Sequence, residues 1–174
     1  MLRSVMRFFG ALSLLFAGAG VVAVIGMRRK WPPVLDAVRR INRQTKPIVL
    51  ASAGQEGAYA SVIRHAGRTS GRRYETPVVA AATDDGFVIA LPYGSNTDWL
   101  KNVLAEGSAT LVTGGNTYEV DRPEVVGVAE AAPHFRARDQ RMQRQFGVTD
   151  CLRLRRVADG EPRPVSEEAV TGTV

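Results

Sequence analysis

The pattern of hydrophobic and polar positions divides the chain into an apolar N-terminal segment and a longer globular part. Residues 8–27 contain no charged side chain. A helix of about 20 apolar residues is long enough to span the roughly 30 Å core of a bilayer. We therefore predict an N-terminal transmembrane anchor within residues 1–30. A cleaved signal peptide is the alternative, because Ala17, Gly18 and Ala19 resemble a small-residue cleavage site.

After the anchor, the pattern predicts one amphipathic helix and then several short strands. Apolar residues recur at helical spacing over 34–46, within a helix-and-linker segment at residues 31–57. Apolar runs bounded by turn residues are typical of strands. The predicted strands cover 58–66, 74–83, 87–92, 109–113, 117–126 and 151–157. Two further helices are predicted between the strands, at 98–106 and 129–146.

Turn residues connect the predicted strands as hairpins. Gly, Asp and Asn are concentrated at 67–71, 84–86 and 114–116, and these residue types favour tight connections between antiparallel strands. Antiparallel strands with inserted helices predict a small α+β domain of the β-barrel type, over residues 58–158, and not a parallel doubly wound sheet. Residues 159–174 are polar and contain proline, so we predict a disordered tail.

Charge is distributed unevenly along the chain. The formal net charge is +6, from 23 basic and 17 acidic residues. Five of the basic residues and none of the acidic ones lie in residues 1–30, which leaves 18 basic and 17 acidic residues in the rest. A nearly neutral folded part argues against general nucleic-acid binding, which requires a basic surface. Residues 34–73 and 136–156 are locally basic, and they predict an anion site if they meet in space.

The reactive side chains exclude several kinds of enzyme. The chain has two histidines and one cysteine. His65 and His134 form no ligand-spaced pair, and Cys151 has no partner for an intramolecular disulfide. No Gly-x-Ser-x-Gly motif or P-loop occurs. We therefore predict no metal site and no hydrolase of the Ser/His or Cys/His kind.

The turn Gly-Arg-Thr-Ser-Gly at residues 67–71 has the features of a ligand cradle. Its glycines allow the backbone to approach a ligand closely, and its hydroxyls, amides and neighbouring arginines can hold an anionic group. A Tyr-Gly-Ser cluster at 93–95 precedes the start of the predicted helix at 98–106, where further N–H groups are free to donate. The alternative interpretation is a simple hairpin turn with solvated arginines.

Four blocks in this region resemble the deazaflavin-dependent nitroreductase family. They are residues 67–71, 76–78 (Thr-Pro-Val), 93–95 and 98–102 (Asp-Trp-Leu-Lys-Asn). The resemblance implies a split β-barrel like that of FMN-binding proteins, with reduced coenzyme F420 as hydride donor. Thr69 and Tyr74 stand where the family often has a basic residue, and Pro92 and Tyr93 stand where its nitro-reducing branch often has Ser and Lys. Nitroreduction is therefore not implied.

The resemblance also assigns residues to the cofactor. The turn and the Thr-Pro-Val segment would line its phosphate and deazaflavin parts, and the later blocks would lie beside them. The implied cofactor-binding residues are Arg68, Thr69, Ser70, Gly71, Arg72, Arg73, Thr76, Pro77, Val78, Tyr93, Gly94, Trp99 and Asn102. Tyr93 and Ser95 are the candidate catalytic residues, because the cofactor supplies a hydride and a proton must still reach the product.

These features together predict a membrane-anchored, F420-dependent oxidoreductase with its domain on the cytoplasmic side. The anchor suggests membrane lipid as a partner and a hydrophobic acceptor, such as a quinone, a lipid or a nitroaromatic compound. The fold resemblance suggests a homodimer, and no nucleic-acid partner is expected. Two alternatives are an FMN-dependent reductase on the same fold and a non-catalytic module that binds a flavin, haem or lipid.

Overall fold

The computed structural model describes residues 24–29, 31–157 and 163–164. Its helices are, in chain order, α1 (24–28), α2 (Pro32–Ser52), α3 (Asp98–Glu106), α4 (Val128–Ala131) and α5 (Ala137–Phe146). A 3-10 turn, Ala132–His134, lies between α4 and α5. The strands are β1 (Ser61–Ala66), β2 (Arg73–Val78), β3 (Ala80–Ala82), β4 (Gly86–Ala90), β5 (Ser108–Thr113), β6 (Asn116–Gly127), β7 (Asp150–Arg156) and β8 (Arg163–Pro164). The predicted α+β class is confirmed.

The strands form one antiparallel sheet in the order β2-β1-β5-β6-β7-β4-β3, with β8 paired to β6 outside this path. Each pairing is antiparallel, so the sheet is not a doubly wound parallel one. Strand β8 belongs to the segment that was predicted to be a disordered tail. The other residues of that segment, 159–162 and 165–174, lie outside the described part of the chain.

The sheet curls because its two ends are joined by a single residue. Strands β2 and β3 lie at opposite ends of the strand order, yet only Val79 separates them in sequence. Consecutive Cα atoms are about 3.8 Å apart, so the two ends of the sheet must approach each other at this point. The predicted single strand 74–83 is therefore two strands with different partners, β1 and β4. This curled sheet with flanking helices fits the predicted split β-barrel.

Aliphatic side chains at alternate positions fill the inside of the curled sheet. On β7, Leu152 and Leu154 are fully buried, while Arg153 between them faces the other side, as the alternation of side chains in a strand requires. The helix α3 adds Leu100 and Val103 to the same cluster. The helix that borders the candidate site is therefore fixed to the main core. A second cluster lies under α4 on the opposite face of the sheet and contains Val88, Val126, Ala131, Phe135 and Cys151.

The three predicted turns connect paired strands. They join β1 to β2, β3 to β4 and β5 to β6. At the last of these turns, Gly114 and Gly115 have φ of 58° and 77°. Two consecutive residues in the left-handed region are typical of a tight two-residue hairpin turn, which explains the glycine pair.

The helix predictions were correct at 98–106 and partly wrong elsewhere. Helix α2 continues six residues beyond its predicted end, through Pro47. Proline removes one hydrogen bond from a helix, but here it does not end it. The predicted helix 129–146 is interrupted at Phe135 and Arg136, whose ψ angles are 148° and 150°. Phe135 is 3% exposed, so the extended backbone there places a large side chain in the second cluster.

The prediction of a membrane location, with a single-pass anchor and a cytoplasmic domain, is wrong. No helix in the described residues is long and apolar enough to cross a membrane. The described end of the predicted span packs on the folded part. Met27 is 6% exposed, and a Cβ added to Gly26 would lie 2.5 Å from a methyl carbon of Val34. Residues 8–23 of that span lie outside the described residues, and the lipid partner that followed from the anchor is withdrawn.

Candidate functional site

A cavity of about 1150 Å³ lies between the β1–β2 end of the sheet and three helices, α2, α3 and α5. Binding sites for small organic ligands have volumes of roughly 300–1,000 Å³, so this cavity can hold a ligand the size of a flavin. Two sides can be distinguished. We call the side formed by β1, β2, their turn and the start of α3 the turn wall. The side formed by α2, α5 and Tyr59 is the helical wall.

Many of the predicted site residues border this cavity. Those that line it are Arg68, Thr69, Ser70, Thr76, Pro77, Val78, Tyr93, Trp99 and Asn102, whereas Gly71, Arg72, Arg73, Gly94 and Ser95 do not. Alternation along β2 explains part of this division. Tyr74 and Thr76 face the cavity, so Arg73 and Glu75 face the other side of the strand. Gly71 and Gly94 have φ of 65° and 76°, so both shape the backbone of a turn.

The turn between β1 and β2 is tightly closed and keeps two amides unused. Gly67 N donates to Arg72 O, and Gly71 N donates to Gly67 O, both at 2.8 Å. A Cβ on Gly67 would lie 2.7 Å from Ser70 Oγ, so a larger residue there would require the Ser70 side chain to move. In the described chain, no hydrogen bond engages the backbone N–H of Thr69 or Ser70. These exposed amides can donate to an anionic ligand.

Arg68 ties the turn to α3. Its backbone N and its Nη1 both donate to Asn102 Oδ1, at 3.2 and 2.8 Å, and its Nη2 donates to Asp98 Oδ1 at 3.0 Å. The charge of Arg68 is therefore paired within the protein. Arg72 and Arg73 are exposed and form no ion pair in the described chain. They supply the available positive charge beside the turn.

Behind the turn, a buried histidine contacts both β2 and α3. His65 is 6% exposed. Its Nδ1 lies 3.3 Å from Asn102 Nδ2, and its Nε2 lies 3.3 Å from Thr76 Oγ1. Burial lowers the pKa of His65 below its ordinary value, although the Ala66 carbonyl and the charge of Glu106 raise it. The ring also stacks on Tyr74, with centroids 5.8 Å apart.

The helical wall contains a buried acid. Tyr59 Oη donates to Asp139 Oδ1 at 3.0 Å, and Asp139 is 7% exposed. Burial, and then the hydrogen bond and charge of Asp139, raise the pKa of Tyr59, while Arg138 lowers it. Arg138 lies over the Tyr59 ring, 5.7 Å from its centroid. The phenol therefore stays protonated at neutral pH.

Two buried side-chain atoms in the described chain lack a hydrogen-bond partner, and both belong to residues that line the cavity. They are Thr97 Oγ1 on the turn wall and Gln143 Nε2 on the helical wall. Thr97 occupies the N-cap position of α3 but makes no side-chain cap hydrogen bond. Buried polar atoms are nearly always satisfied in folded proteins. Unsatisfied atoms on both sides of one cavity are what a site for a polar ligand leaves without that ligand.

The two basic segments meet at the cavity, but no arginine of the second segment lines it, so that segment adds no positive charge to the lining of the predicted anion site. Helix α5 contributes Asp139 and Gln143 to the lining, while its arginines are exposed. The prediction missed these two residues, together with Tyr59, His65 and Thr97. The only sequence indication of the first two is their i, i+4 spacing, which places two polar residues on one face of a helix.

Comparisons with known proteins identify no family. No family model matches the chain, and no curated protein matches it. Among solved structures, an F420 reductase is 11% identical, with 57% of this chain and 87% of that one covered and a TM-score of 0.41. A protein of the pyridoxinephosphate oxidase family from Clostridium acetobutylicum, related to general stress protein 26, is 8% identical, with coverages of 71% and 94% and a TM-score of 0.42. A domain-swapped dimer is 10% identical, with 67% of this chain and 98% of that one covered and a TM-score of 0.43. The function must therefore be argued from the site.

Proposed function

We propose that this protein is an F420-dependent oxidoreductase that transfers a hydride from reduced deazaflavin to a hydrophobic acceptor, such as a quinone, a lipid or a nitroaromatic compound. The observation that carries the proposal is the make-up of one cavity of about 1150 Å³. It has unused amide donors at its turn end and unsatisfied buried polar atoms on both walls. Apolar and aromatic side chains belong to the same lining.

The residues of the turn wall fit the two parts of such a cofactor. The amides of Thr69 and Ser70 would hold its phosphate, and the exposed guanidinium groups of Arg72 and Arg73, which lie outside the cavity lining, would attract it from beside the turn. Beside them, Pro77, Val78 and Trp99 offer flat or apolar faces to a planar ring. Aromatic and apolar contacts of this kind favour stacking of a ring system.

When bound, a reduced deazaflavin supplies the hydride, and the protein orients the reactants and moves the proton. Of the two predicted catalytic residues, Tyr93 lines the cavity and Ser95 is exposed outside it. We therefore propose Tyr93 as the proton donor. The apolar part of the lining, which includes Val49, Met142 and Phe146, suits a hydrophobic acceptor.

An FMN-dependent reductase is the second candidate, and one observation favours it. Coenzyme F420 ends in a polyanionic glutamate tail, whereas FMN ends in a single phosphate. The charge of Arg68 is already paired with Asp98, and Thr69 and Tyr74 are uncharged. The turn wall therefore offers less positive charge than a long anionic tail would use.

Parallel titrations of the purified full chain with F420 and with FMN, followed by fluorescence at low salt, test the proposal. We expect F420 to bind at micromolar concentrations and the double variant Arg72→Gln, Arg73→Gln to bind it about tenfold more weakly or worse, because two unscreened charges are removed. Arg155→Gln is the matched control, since Arg155 pairs with Asp85 away from the cavity. Binding of neither cofactor would refute the proposal.

Turnover separates the remaining alternatives. The protein carrying reduced F420 or reduced FMN is mixed with menadione or a nitroaromatic compound, and oxidation of the cofactor is followed. Tyr93→Phe should slow turnover by a larger factor than it weakens cofactor binding. Tight binding with no turnover of either acceptor would favour a non-catalytic flavin, haem or lipid module. The homodimer stays a prediction, which sedimentation velocity on the same sample tests.

A further inference from the structure

Four side chains form a continuous chain of contacts from the turn to the cavity. They are Arg68, Asn102, His65 and Thr76, joined at 2.8, 3.3 and 3.3 Å. Asn102 and His65 are each 6% exposed, so water does not substitute freely for these partners. The hydroxyl of Thr76 has no hydrogen bond in the described chain other than its contact with His65.

The direction of each hydrogen bond follows from the first residue. A guanidinium group donates and never accepts, so the Asn102 atom that contacts Arg68 is the amide oxygen. The backbone N of Arg68 donates to that same oxygen at 3.2 Å, which supports this orientation of the amide. The Asn102 amide nitrogen therefore faces His65 Nδ1 and must donate to it.

The position of the proton on the His65 ring and the direction of its hydrogen bond to Thr76 follow from this. An Nδ1 that accepts a hydrogen bond carries no proton, so the neutral ring has its proton on Nε2. Nε2 donates to Thr76 Oγ1, and the hydroxyl proton of Thr76 is directed away from His65. Thr76 lines the cavity, so that proton is available to a ligand.

We propose that His65 is a positioning residue that fixes the Thr76 hydroxyl as a hydrogen-bond donor, so that the ligand must present an acceptor oxygen or nitrogen at this point of the turn wall. The inference about the ligand rests on the proposed function and deepens it, because the ring of a flavin or deazaflavin carries carbonyl oxygens that accept hydrogen bonds. The inference about the His65 tautomer does not depend on any ligand.

The competing arrangement places the ring proton of His65 on Nδ1, and experiment can distinguish it from protonation on Nε2. The carbonyl of Ala66 favours a proton on the ring of His65. If Nδ1 were protonated, the Asn102 amide would have to turn over, and its NH₂ group would then face the donors of Arg68. The charged groups that influence His65 are Glu106 on α3 and Lys46 on α2, and the Arg68–Asp98 pair lies on the other side of Asn102.

Nitrogen NMR of the imidazole ring tests the tautomer without a ligand. The chain has two histidines, so His134→Gln leaves His65 as the only source of ring signals. His134 is exposed and lies outside the cavity lining. We expect a neutral ring protonated on Nε2 at pH 7.5, with Nδ1 unprotonated. A proton on Nδ1, or a ring that is doubly protonated at this pH, would overturn the proposal.

A pair of substitutions tests the donor role of Thr76. Thr76→Val removes the hydroxyl while keeping the shape, and it should weaken FMN or F420 binding about tenfold, the usual effect of one lost hydrogen bond to a ligand. Thr76→Ser keeps the hydroxyl and should bind within about threefold of the natural chain. Equal binding by Thr76→Val and Thr76→Ser would overturn the donor role.

A double-mutant cycle tests whether His65 acts through Thr76. His65→Phe keeps a ring against Tyr74 and removes both nitrogens. We expect His65→Phe to weaken binding like Thr76→Val, and the double variant to be no weaker than either single one, because all three break the same chain of contacts. Additive losses would overturn this coupling. Thermal unfolding identifies any variant that fails to fold, and His65→Leu, which also lacks both ring nitrogens, then takes the place of His65→Phe.

The two proposals fail in different ways. If neither FMN nor F420 binds the natural chain, the proposed function fails, while the NMR experiment still decides the tautomer. If a cofactor binds and the ring is protonated on Nδ1, only the present inference fails.

Discussion

The two walls of the cavity differ in charge and in how the chain assembles them. The turn wall offers hydrogen-bond donors, namely the unused amides and the Thr76 hydroxyl, and exposed guanidinium groups lie beside it. The helical wall contains a buried carboxylate, Asp139, beside the unsatisfied amide of Gln143. A ligand held between them would present its anionic end to the turn. In the proposed function, the turn wall therefore binds the anionic group and the helical wall contacts a neutral group.

The walls also differ in sequence separation. Arg68 and Asn102, which join the turn to α3, are 34 residues apart, whereas Tyr59 and Asp139 are 80 apart. The turn wall is organised around one hairpin and one adjoining helix. The helical wall needs α5 to pack on the loop before β1, so it depends more strongly on the complete fold.

Among the substitutions that test this comparison, Asn102→Ala should change the free energy of unfolding most. Asn102 is buried. It accepts two hydrogen bonds from Arg68 and contacts His65 through its amide nitrogen. Each buried polar group that loses its partner costs about 1–3 kcal/mol, so we expect a loss of about 2–4 kcal/mol in the free energy of unfolding, measured with urea. Cofactor binding should be lost as well, because the turn is no longer tied to α3.

Asn116→Ala is the matched control for this prediction. Asn116 Nδ2 donates to Gly114 O at 3.2 Å in an exposed turn. Exposed hydrogen bonds contribute about 1 kcal/mol or less, so the control should lose far less stability. Equal losses for the two variants would mean that the contacts of Asn102 are no more important than those of an ordinary surface turn.

The next effect is expected on the helical wall, from Tyr59→Phe. This change leaves the buried Asp139 carboxylate without the donor at 3.0 Å. We expect a loss of about 1–3 kcal/mol in the free energy of unfolding and little change in binding at the turn. Tyr118→Phe is the control, because the Tyr118 hydroxyl makes no hydrogen bond in the described chain while its ring packs against Phe87. A larger loss for Tyr118→Phe would contradict the importance of the Tyr59–Asp139 pair.

The turn wall could be predicted from sequence because its information is local. Glycines at 67 and 71 mark the turn, alternation along β2 places Thr76, and an N-cap residue with Gly107 marks both ends of α3. These features depend on backbone geometry within a few residues. The residues that the family resemblance assigned to the cofactor lie in or beside this turn and helix, and several of them line the cavity.

The helical wall could not be predicted because its residues acquire their roles only through packing. Asp139 and Gln143 lie in a segment with four arginines between 136 and 144, which is typical of a solvated helix face. Only the break at Phe135 and Arg136, which buries Phe135, orients α5 so that two polar residues face the cavity. The division of 74–83 into β2 and β3 has the same origin, since a change of pairing partner is a property of the whole sheet.

A smaller effect, of opposite sign, is expected from Gln143→Leu. The Gln143 side chain is buried with an unsatisfied Nε2, and an unsatisfied buried polar group is unfavourable. We expect the free energy of unfolding to rise by about 1 kcal/mol, while the acceptor substrate binds more weakly. Gln145→Leu is the control, because Gln145 is exposed and should change stability by less than about 0.5 kcal/mol. A loss of stability in Gln143→Leu would mean that the amide has a partner in the folded protein.

A change of pH should have the smallest effect on the free energy of unfolding, because the expected dependence comes from one ionisable group on the turn wall. Burial lowers the pKa of His65 below its ordinary 6.5, so the unfolded chain binds a proton more readily than the folded one. Stability then rises with pH between the lowered pKa and about 6.5, and it falls as the solution is acidified below about 6.5. Urea unfolding from pH 5 to 8 should show this slope in the natural chain and a flatter one in His65→Phe. Tyr59 stays protonated throughout that range, because its pKa is raised from 10.0, so any slope that remains in His65→Phe does not come from the helical-wall phenol.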